Sequence, residues 1–241
     1  MINFLTKALL VVLGVLILTS ACSKSAGDPA LKREEMVKTQ IEGRGISSPL
    51  ILKAMREIPR EEFVLPKYAD RAYEDNEIPF GFGETMDRPF ENATMVEALK
   101  IEPDDSVLEI GTGSGYLTSL ISKLAKKIYS IEIEPQIADN ARKVIEKLGY
   151  KNIHLKTGDG FVGWPEHQPF DEIILMCSPD EIPKPLIGQL AEGGRLLLPL
   201  GGTKKFQELI LFEKKNGKLI EIRRLAPTVF TPMKGKVLEK N

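Results

Sequence analysis

Histidine and cysteine are both scarce. Among 241 residues there are two of each: His154 and His167, Cys22 and Cys177. No Cys-x-x-Cys or Cys/His spacing occurs, so neither a Cys/His structural metal site nor a disulfide framework is expected. Two isolated imidazoles also leave little basis for histidine-centred catalysis. A charge of one sign is lacking too. Lysine plus arginine total 33 against 34 for aspartate plus glutamate, a net charge of -1. Nothing in that balance points to a nucleic-acid partner. There are no internal repeats, which excludes a solenoid or propeller. The one long apolar run, residues 8–18, is shorter than the roughly 20 residues that span a bilayer.

That run does have a recognisable context. Lys7 precedes it, and Thr19-Ser20-Ala21-Cys22 follows. A positive start, a short apolar stretch and small residues at the end describe a secretory signal. LTSAC resembles a bacterial lipoprotein signal, in which Cys22 is lipidated and attaches the chain to a membrane. The expected organisation is a signal over 1–22, a tether over 23–30, a helical and substrate-mouth region over 31–104, and a core domain over 105–241. The protein is then a membrane-anchored or periplasmic lipoprotein, whereas initiation at Met36 would make it cytoplasmic.

The remainder is 42 % hydrophobic over the whole chain, enough for an α/β core. Helical spacing of Met36, Val37 and Ile41 predicts a helix over 31–42. Ser48 as cap and Pro49 at the first position predict another to Glu57. The stretch 61–90 is rich in Gly and Pro without a sustained period and reads as loop, before a helix over 90–99. From Asp105 strands and helices alternate. Strands are expected at 106–110, 127–133, 152–156, 170–176 and 195–200. Helices are expected at 116–124, 135–148 and 183–190, the last stopped by Gly193-Gly194. Segments 207–214 and 219–225 around Asn216-Gly217 read as a hairpin. This predicts an α/β, Rossmann-like fold: a mostly parallel sheet with helices on both faces, an antiparallel C-terminal hairpin and an N-terminal helical extension.

The first strand runs into Glu109-Ile-Gly-Thr-Gly-Ser-Gly115. Gly111, Gly113 and Gly115, with Thr112 between them, let the backbone approach a ligand closely. Dinucleotide sites use the same device, but at G-x-G-x-x-G spacing. Glu132, ending the second strand, is placed to accept from two ribose hydroxyls. Asp159 and Gly160, after the third, suit an adenine amino group and space for its ring. Glu109, Gly111, Thr112, Gly113, Gly115, Glu132, Asp159 and Gly160 therefore form a candidate site for S-adenosyl-L-methionine in preference to NAD.

Longer stretches carry a more specific likeness. MVKTQIEGRGI, AMREIPREEFVLP, AYEDNEIPFGFGETMDRP, VLEIGTGSGYLTSLIS and QLAEGGRLLLPLG lie within residues 36–234. Across that span the chain resembles protein-L-isoaspartate O-methyltransferases. The resemblance implies methyl transfer to the free carboxylate of isoaspartyl residues in damaged proteins; the chain is expected to be a monomer. It also assigns the substrate mouth to Gly83-Glu-Thr-Met-Asp-Arg-Pro89, with Thr85 and Asp87 as the acceptor-side catalytic residues. The family's serine is Asp87 here, and its glutamine is Glu84. An ionised aspartate repels a carboxylate, by about 4 kcal/mol at 4 Å and an effective dielectric of 20. Asp87 thus raises an alternative, a methyltransferase of this fold with a different acceptor. Arg88, protonation of Asp87, or a hydroxyl from Ser178 would offset the repulsion. Cys177 reads as a small buried filler.

Overall fold

A computed structural model describes residues 27–201 and 206–236. The expected signal over 1–22, with Cys22, lies outside the described residues. Helix α1 (Pro29–Met36) opens on Asp28, whose side chain accepts the Ala30 N–H at 2.9 Å. The first helix therefore starts within the stretch read as tether. It continues as a π-type turn (Val37–Ile41) and a 3-10 turn (Glu42–Arg44). Helix α2 (Pro49–Glu57) begins where Ser48 and Pro49 predicted, although the Ser48 hydroxyl makes no capping bond.

The stretch read as loop contains a hairpin, β1 (Ile78–Gly81) and β2 (Glu84–Met86), paired antiparallel. Strands of four and three residues, one containing Pro79, are too short to display an alternating pattern. Helix α3 (Pro89–Leu99) then leads to the sheet. In chain order come β3 (Ser106–Ile110), α4 (Tyr116–Ser122), β4 (Lys127–Glu132), α5 (Pro135–Lys147), β5 (Ile153–Thr157) and β6 (Phe170–Leu175). Next are α6 (Lys184–Gln189), β7 (Leu190–Leu200), β8 (Gln207–Lys215) and β9 (Lys218–Thr228).

The seven sheet strands lie in the order β5-β4-β3-β6-β7-β8-β9. The first five pair in parallel, and β7, β8 and β9 pair antiparallel. The β8–β9 turn has both Asn216 (φ 53°) and Gly217 (φ 74°) in the left-handed region, as an Asn-Gly hairpin requires. One boundary differs from expectation. Gly193-Gly194 does not stop a helix but lies inside β7, where the pairing with β6 shifts register. A Cβ on Gly194 would sit 2.6 Å from the Asp171 carbonyl, so this irregular stretch leaves no room for a side chain.

The two faces of the sheet are covered unequally. One apolar cluster joins α3, α4 and α5 to the N-terminal extension, including Met36, Met55, Val96, Tyr116, Leu120 and Ile174. The other face buries Leu108, Ile131, Ile173 and Leu196 under α6 and short 3-10 turns. The N-terminal extension is thereby continuous with the core that carries the glycine loop. Among the described residues no helix is long and apolar enough to cross a membrane.

Candidate active site

Strand order reverses at β3, with β4 and β5 on one side and β6 and β7 on the other. Open sheets of this kind form a ligand crevice at the carboxyl ends of the strands there. The crevice holds a cavity of about 200 Å3. Its walls include residues 109–114, Glu132 and Gly160 from the sheet, Phe80 and 84–87 from the hairpin, and 229–234 from the C-terminal segment.

The glycines have distinct tasks. Gly111 has φ 101°, and a Cβ there would lie 3.2 Å from the Met176 Cβ, so the turn out of β3 needs glycine. A Cβ on Gly160 would collide with Ile110. Gly115 caps α4 and is not on the cavity wall; the space beside it is filled by Ile145 and Ala141.

Glu109 is fully buried. Its Oε2 accepts from Thr118 Oγ1 at 2.5 Å and Ser130 Oγ at 2.6 Å, and Thr112 Oγ1 lies 2.6 Å from that Ser130 hydroxyl. Burial pushes the Glu109 carboxyl up to about 8, against the pull of the two hydroxyl donors. Its Oε1 has no partner among the described residues. That unpartnered oxygen, on a residue of the cavity wall, suits a cationic amino group, whose charge would favour the ionised carboxylate that burial alone disfavours. Glu132 is 7 % exposed and accepts from the Gly113 N–H at 3.0 Å and the Glu134 N–H at 3.1 Å. Two N–H bonds leave lone pairs for ribose hydroxyls, because an ionised carboxylate offers about four.

Asp159 is placed differently from the simple expectation of an open acceptor. Its Oδ1 accepts the Phe161 N–H at 2.9 Å, and its Oδ2 accepts the Lys236 N–H at 2.8 Å. Gly160 lines the cavity, while Asp159 ties the loop after β5 to the C-terminal segment. That segment crosses the crevice as a strap. Ser178 N–H donates to the Thr231 carbonyl at 2.9 Å, Met233 N–H returns to the Ser178 carbonyl at 2.9 Å, and Lys234 Nζ reaches Glu134 at 2.7 Å. Ser178 is buried beneath the strap and is not on the cavity wall. Cys177 is on the wall, but burial pushes its thiol up to about 12, so it is no nucleophile at neutral pH.

On the acceptor side, Thr85 and Asp87 both line the cavity. The Thr85 hydroxyl is 3.4 Å from Glu77. Asp87 is half-buried, and loss of water pushes its carboxyl up to about 7. Glu91 and Glu77 push the same way, and Arg60 opposes them. Arg88 lies 4.0 Å from Glu91, both half-exposed, and Arg60 is the arginine that acts on the Asp87 carboxyl. Arg60 itself is completely buried. It donates to the carbonyls of Ala72, at 2.8 Å, and Asp87, and its guanidinium carbon lies 4.5 Å from the Tyr116 ring centroid. Sequence reading missed Arg60; the segment TVFTPM, residues 228–233, resembles an acceptor-side segment of the family, but its crossing of the crevice was not foreseen. The arginine stands in AMREIPREEFVLP and was the one signal for it, while the strap makes its contacts through main-chain groups.

The family described as Protein-L-isoaspartate(D-aspartate) O-methyltransferase has a model that matches residues 31–238. The chain belongs to this family. A protein-L-isoaspartate O-methyltransferase of Gloeobacter violaceus is 40 % identical over 198 residues, covering 82 % of this chain and 96 % of the relative. One from Syntrophus aciditrophicus is 44 % identical over 193 residues, covering 80 % and 88 %. A solved protein-L-isoaspartate O-methyltransferase superposes with TM-score 0.76 at 31 % identity, covering 85 % of this chain and 67 % of that one. A Plasmodium falciparum structure with S-adenosyl-L-homocysteine shares the fold at TM-score 0.71 and 23 % identity, covering 84 % and 98 %. The Rossmann-like methyltransferase fold expected from the strand–helix alternation is thus the fold of the family. Its cofactor is S-adenosyl-L-methionine, and the orphaned Glu109 oxygen, the Glu132 carboxylate and the Gly160 clearance fit that molecule.

Proposed function

We propose that this methyltransferase esterifies the free carboxylate of L-isoaspartyl residues in damaged proteins. The observation that carries the reading is one cavity whose walls bring Glu109 and Glu132 together with Thr85 and Asp87. S-adenosylmethionine, when bound, supplies an electrophilic methyl group on a sulfonium. Glu109 would hold its amino group, Glu132 its ribose, and Gly160 would leave room for its base. The acceptor carboxylate is ionised at neutral pH, since its ordinary pKa is about 4. No general base is then required, which suits a chain whose two histidines lie outside this cavity. What remains for the protein is alignment and exclusion of water. The strap over residues 229–234 and the hairpin both contribute walls for that purpose.

Thr85 and Asp87 are the acceptor-holding residues in this reading. Burial and the neighbouring Glu91 and Glu77 favour a neutral Asp87, which donates a hydrogen bond to the acceptor carboxylate as a serine would. Incubation with labelled cofactor and a peptide carrying one isoaspartyl residue tests the reading. Base-labile methyl ester is expected on that peptide and not on its aspartyl counterpart.

We infer further that the chain acts as a monomer and that residues 1–22 direct its export, with lipidation at Cys22. The charged start, short apolar run and small residues before Cys22 support export. Initiation at Met36 would remove α1, along with the Arg33–Tyr73 bond at 3.2 Å and the Glu34–Arg56 ion pair at 3.0 Å. Mass spectrometry of the native N-terminus distinguishes the two: a diacylglyceryl Cys22 supports export, and an N-terminus at Met36 contradicts it. Light scattering at working concentration checks the monomer.

A further inference from the structure

The tip of the β1–β2 hairpin carries an aromatic residue that the fold does not use. Phe82 is 51 % exposed, although other phenylalanines nearby, Phe63 and Phe80, are buried. Its backbone is in the left-handed region, with φ 59°, between Gly81 and Gly83. Phe82, Lys100 and Asn216 are the only non-glycine residues with positive φ among the described residues. Lys100 terminates α3 and Asn216 makes the β8–β9 turn, so each of those has a local reason. A bulky side chain at positive φ is strained, and glycine would form this turn without that strain. Conformation and exposure thus both disfavour phenylalanine here, and an outlier of that kind beside a site is a pointer to function.

The hairpin is held firmly at the site. Phe80 packs against the glycine loop, its ring 3.7 Å from where a Gly113 Cβ would stand. The Leu65 N–H donates to the Pro79 carbonyl at 3.3 Å, and Thr231 of the strap reaches Glu84 at 3.4 Å. Phe82 lies between two cavity-wall residues, Phe80 and Glu84, and three residues before Thr85. Resting on the proposed isoaspartyl activity, the acceptor is a polypeptide, and Phe82 sits at the exposed tip of the hairpin whose residues Phe80 and 84–87 line the cavity that would receive it. We propose that Phe82 is a specificity-determining contact that packs against an apolar side chain of the acceptor polypeptide close in sequence to the isoaspartyl residue. Phe82 and Asp87 are five residues apart, and five extended residues span roughly 16 Å, so the partner side chain falls within about five positions of the isoaspartate. Closing an exposed aromatic face against an apolar side chain removes both from water, which strengthens acceptor binding without touching the reacting atoms.

The test compares the full chain with Phe82→Gly on two peptides of equal length, each with one isoaspartyl residue. One has leucine and valine flanks and the other serine and glycine flanks. For wild type, KM is expected to be lower on the apolar-flanked peptide. Phe82→Gly should raise that KM about tenfold, the loss expected for one aromatic contact. Its kcat, its KM for the polar-flanked peptide and its affinity for S-adenosylhomocysteine should stay within about twofold. Its Tm should equal or exceed that of wild type, because glycine relieves the strained turn. A structural role predicts the reverse, a fall in Tm and an equal KM rise on both peptides, and that result overturns the proposal. An unchanged KM on both peptides overturns it as well. Wild-type protein that binds S-adenosylhomocysteine but methylates neither peptide refutes the isoaspartyl reading and takes the Phe82 contact with it.

Discussion

The buried guanidinium of Arg60 donates to the main-chain carbonyl of Asp87 and so ties the acceptor mouth to the core. The same group lies over the ring of Tyr116, the first residue of the helix after the glycine loop. Arg60 therefore links the acceptor mouth to the helix that follows the glycine loop. Burial lowers its pKa from the ordinary arginine value, partly offset by Tyr116 and Asp87. Replacing it by methionine strands the Ala72 and Asp87 carbonyls, at about 1–3 kcal/mol for each buried group left unpaired. The expected outcome for Arg60→Met is a Tm lower by roughly 5–15 °C and a raised acceptor KM. Arg60→Lys should recover part of each. Calorimetry and steady-state kinetics read both.

Asp87 gives the activity a pH signature. Its carboxyl sits near 7, raised chiefly by burial, then by Glu91 and Glu77, with Arg60 opposing. The neutral form donates to the acceptor and the ionised form repels it. The kcat/KM for an isoaspartyl peptide should therefore be flat below about pH 7 and fall tenfold per pH unit above it. Asp87→Asn keeps a donor and cannot ionise, so its profile should lose that fall. A profile unchanged by the substitution contradicts the assigned role.

Asp159 holds the strap by accepting the Lys236 N–H while also capping the 3-10 turn at Phe161. Loss of such a cap costs about 0.5–2 kcal/mol. Asp159→Ala should speed amide hydrogen exchange across 229–236 and weaken S-adenosylhomocysteine binding about tenfold in a calorimetric titration. Unchanged exchange in that segment contradicts the latch.

Stability in the absence of ligands should fall as pH rises. Burial, with Asp105 and Asp171 nearby, pushes Glu172 up to about 9 despite Arg195, and burial pushes Glu109 up to about 8. A folded-state pKa above the unfolded value means that the folded chain holds the proton more tightly. Stability is then lost progressively between about pH 4.5 and these values. Glu172→Gln should raise Tm at pH 8.5 by roughly 3–6 °C, equivalent to about 1–2 kcal/mol, and leave it nearly unchanged at pH 5. Thermal melts across that range check the window.

Much of the core was legible because its signals are local. The glycine loop, Glu132 and the strand–helix alternation each follow from residues adjacent in sequence, and the structure sets them around one crevice. The β1–β2 hairpin was not legible, since its strands are too short to show a period. Gly193-Gly194 misled because a glycine pair that stops a helix and one that serves an irregular strand look alike without the neighbouring Asp171 carbonyl. Asp159 was expected to face adenine, but whether it also meets the strap depends on a chain segment 77 residues away. Arg60 illustrates the same limit. A charged side chain reads as exposed until its partners, distant in sequence, are known.

The most direct measurement of the central claim is methyl transfer from labelled S-adenosylmethionine to a matched pair of peptides, one isoaspartyl and one aspartyl. The account predicts one base-labile methyl ester per isoaspartyl residue and none on the aspartyl peptide. Normal binding of S-adenosylhomocysteine with no ester on either peptide would contradict it.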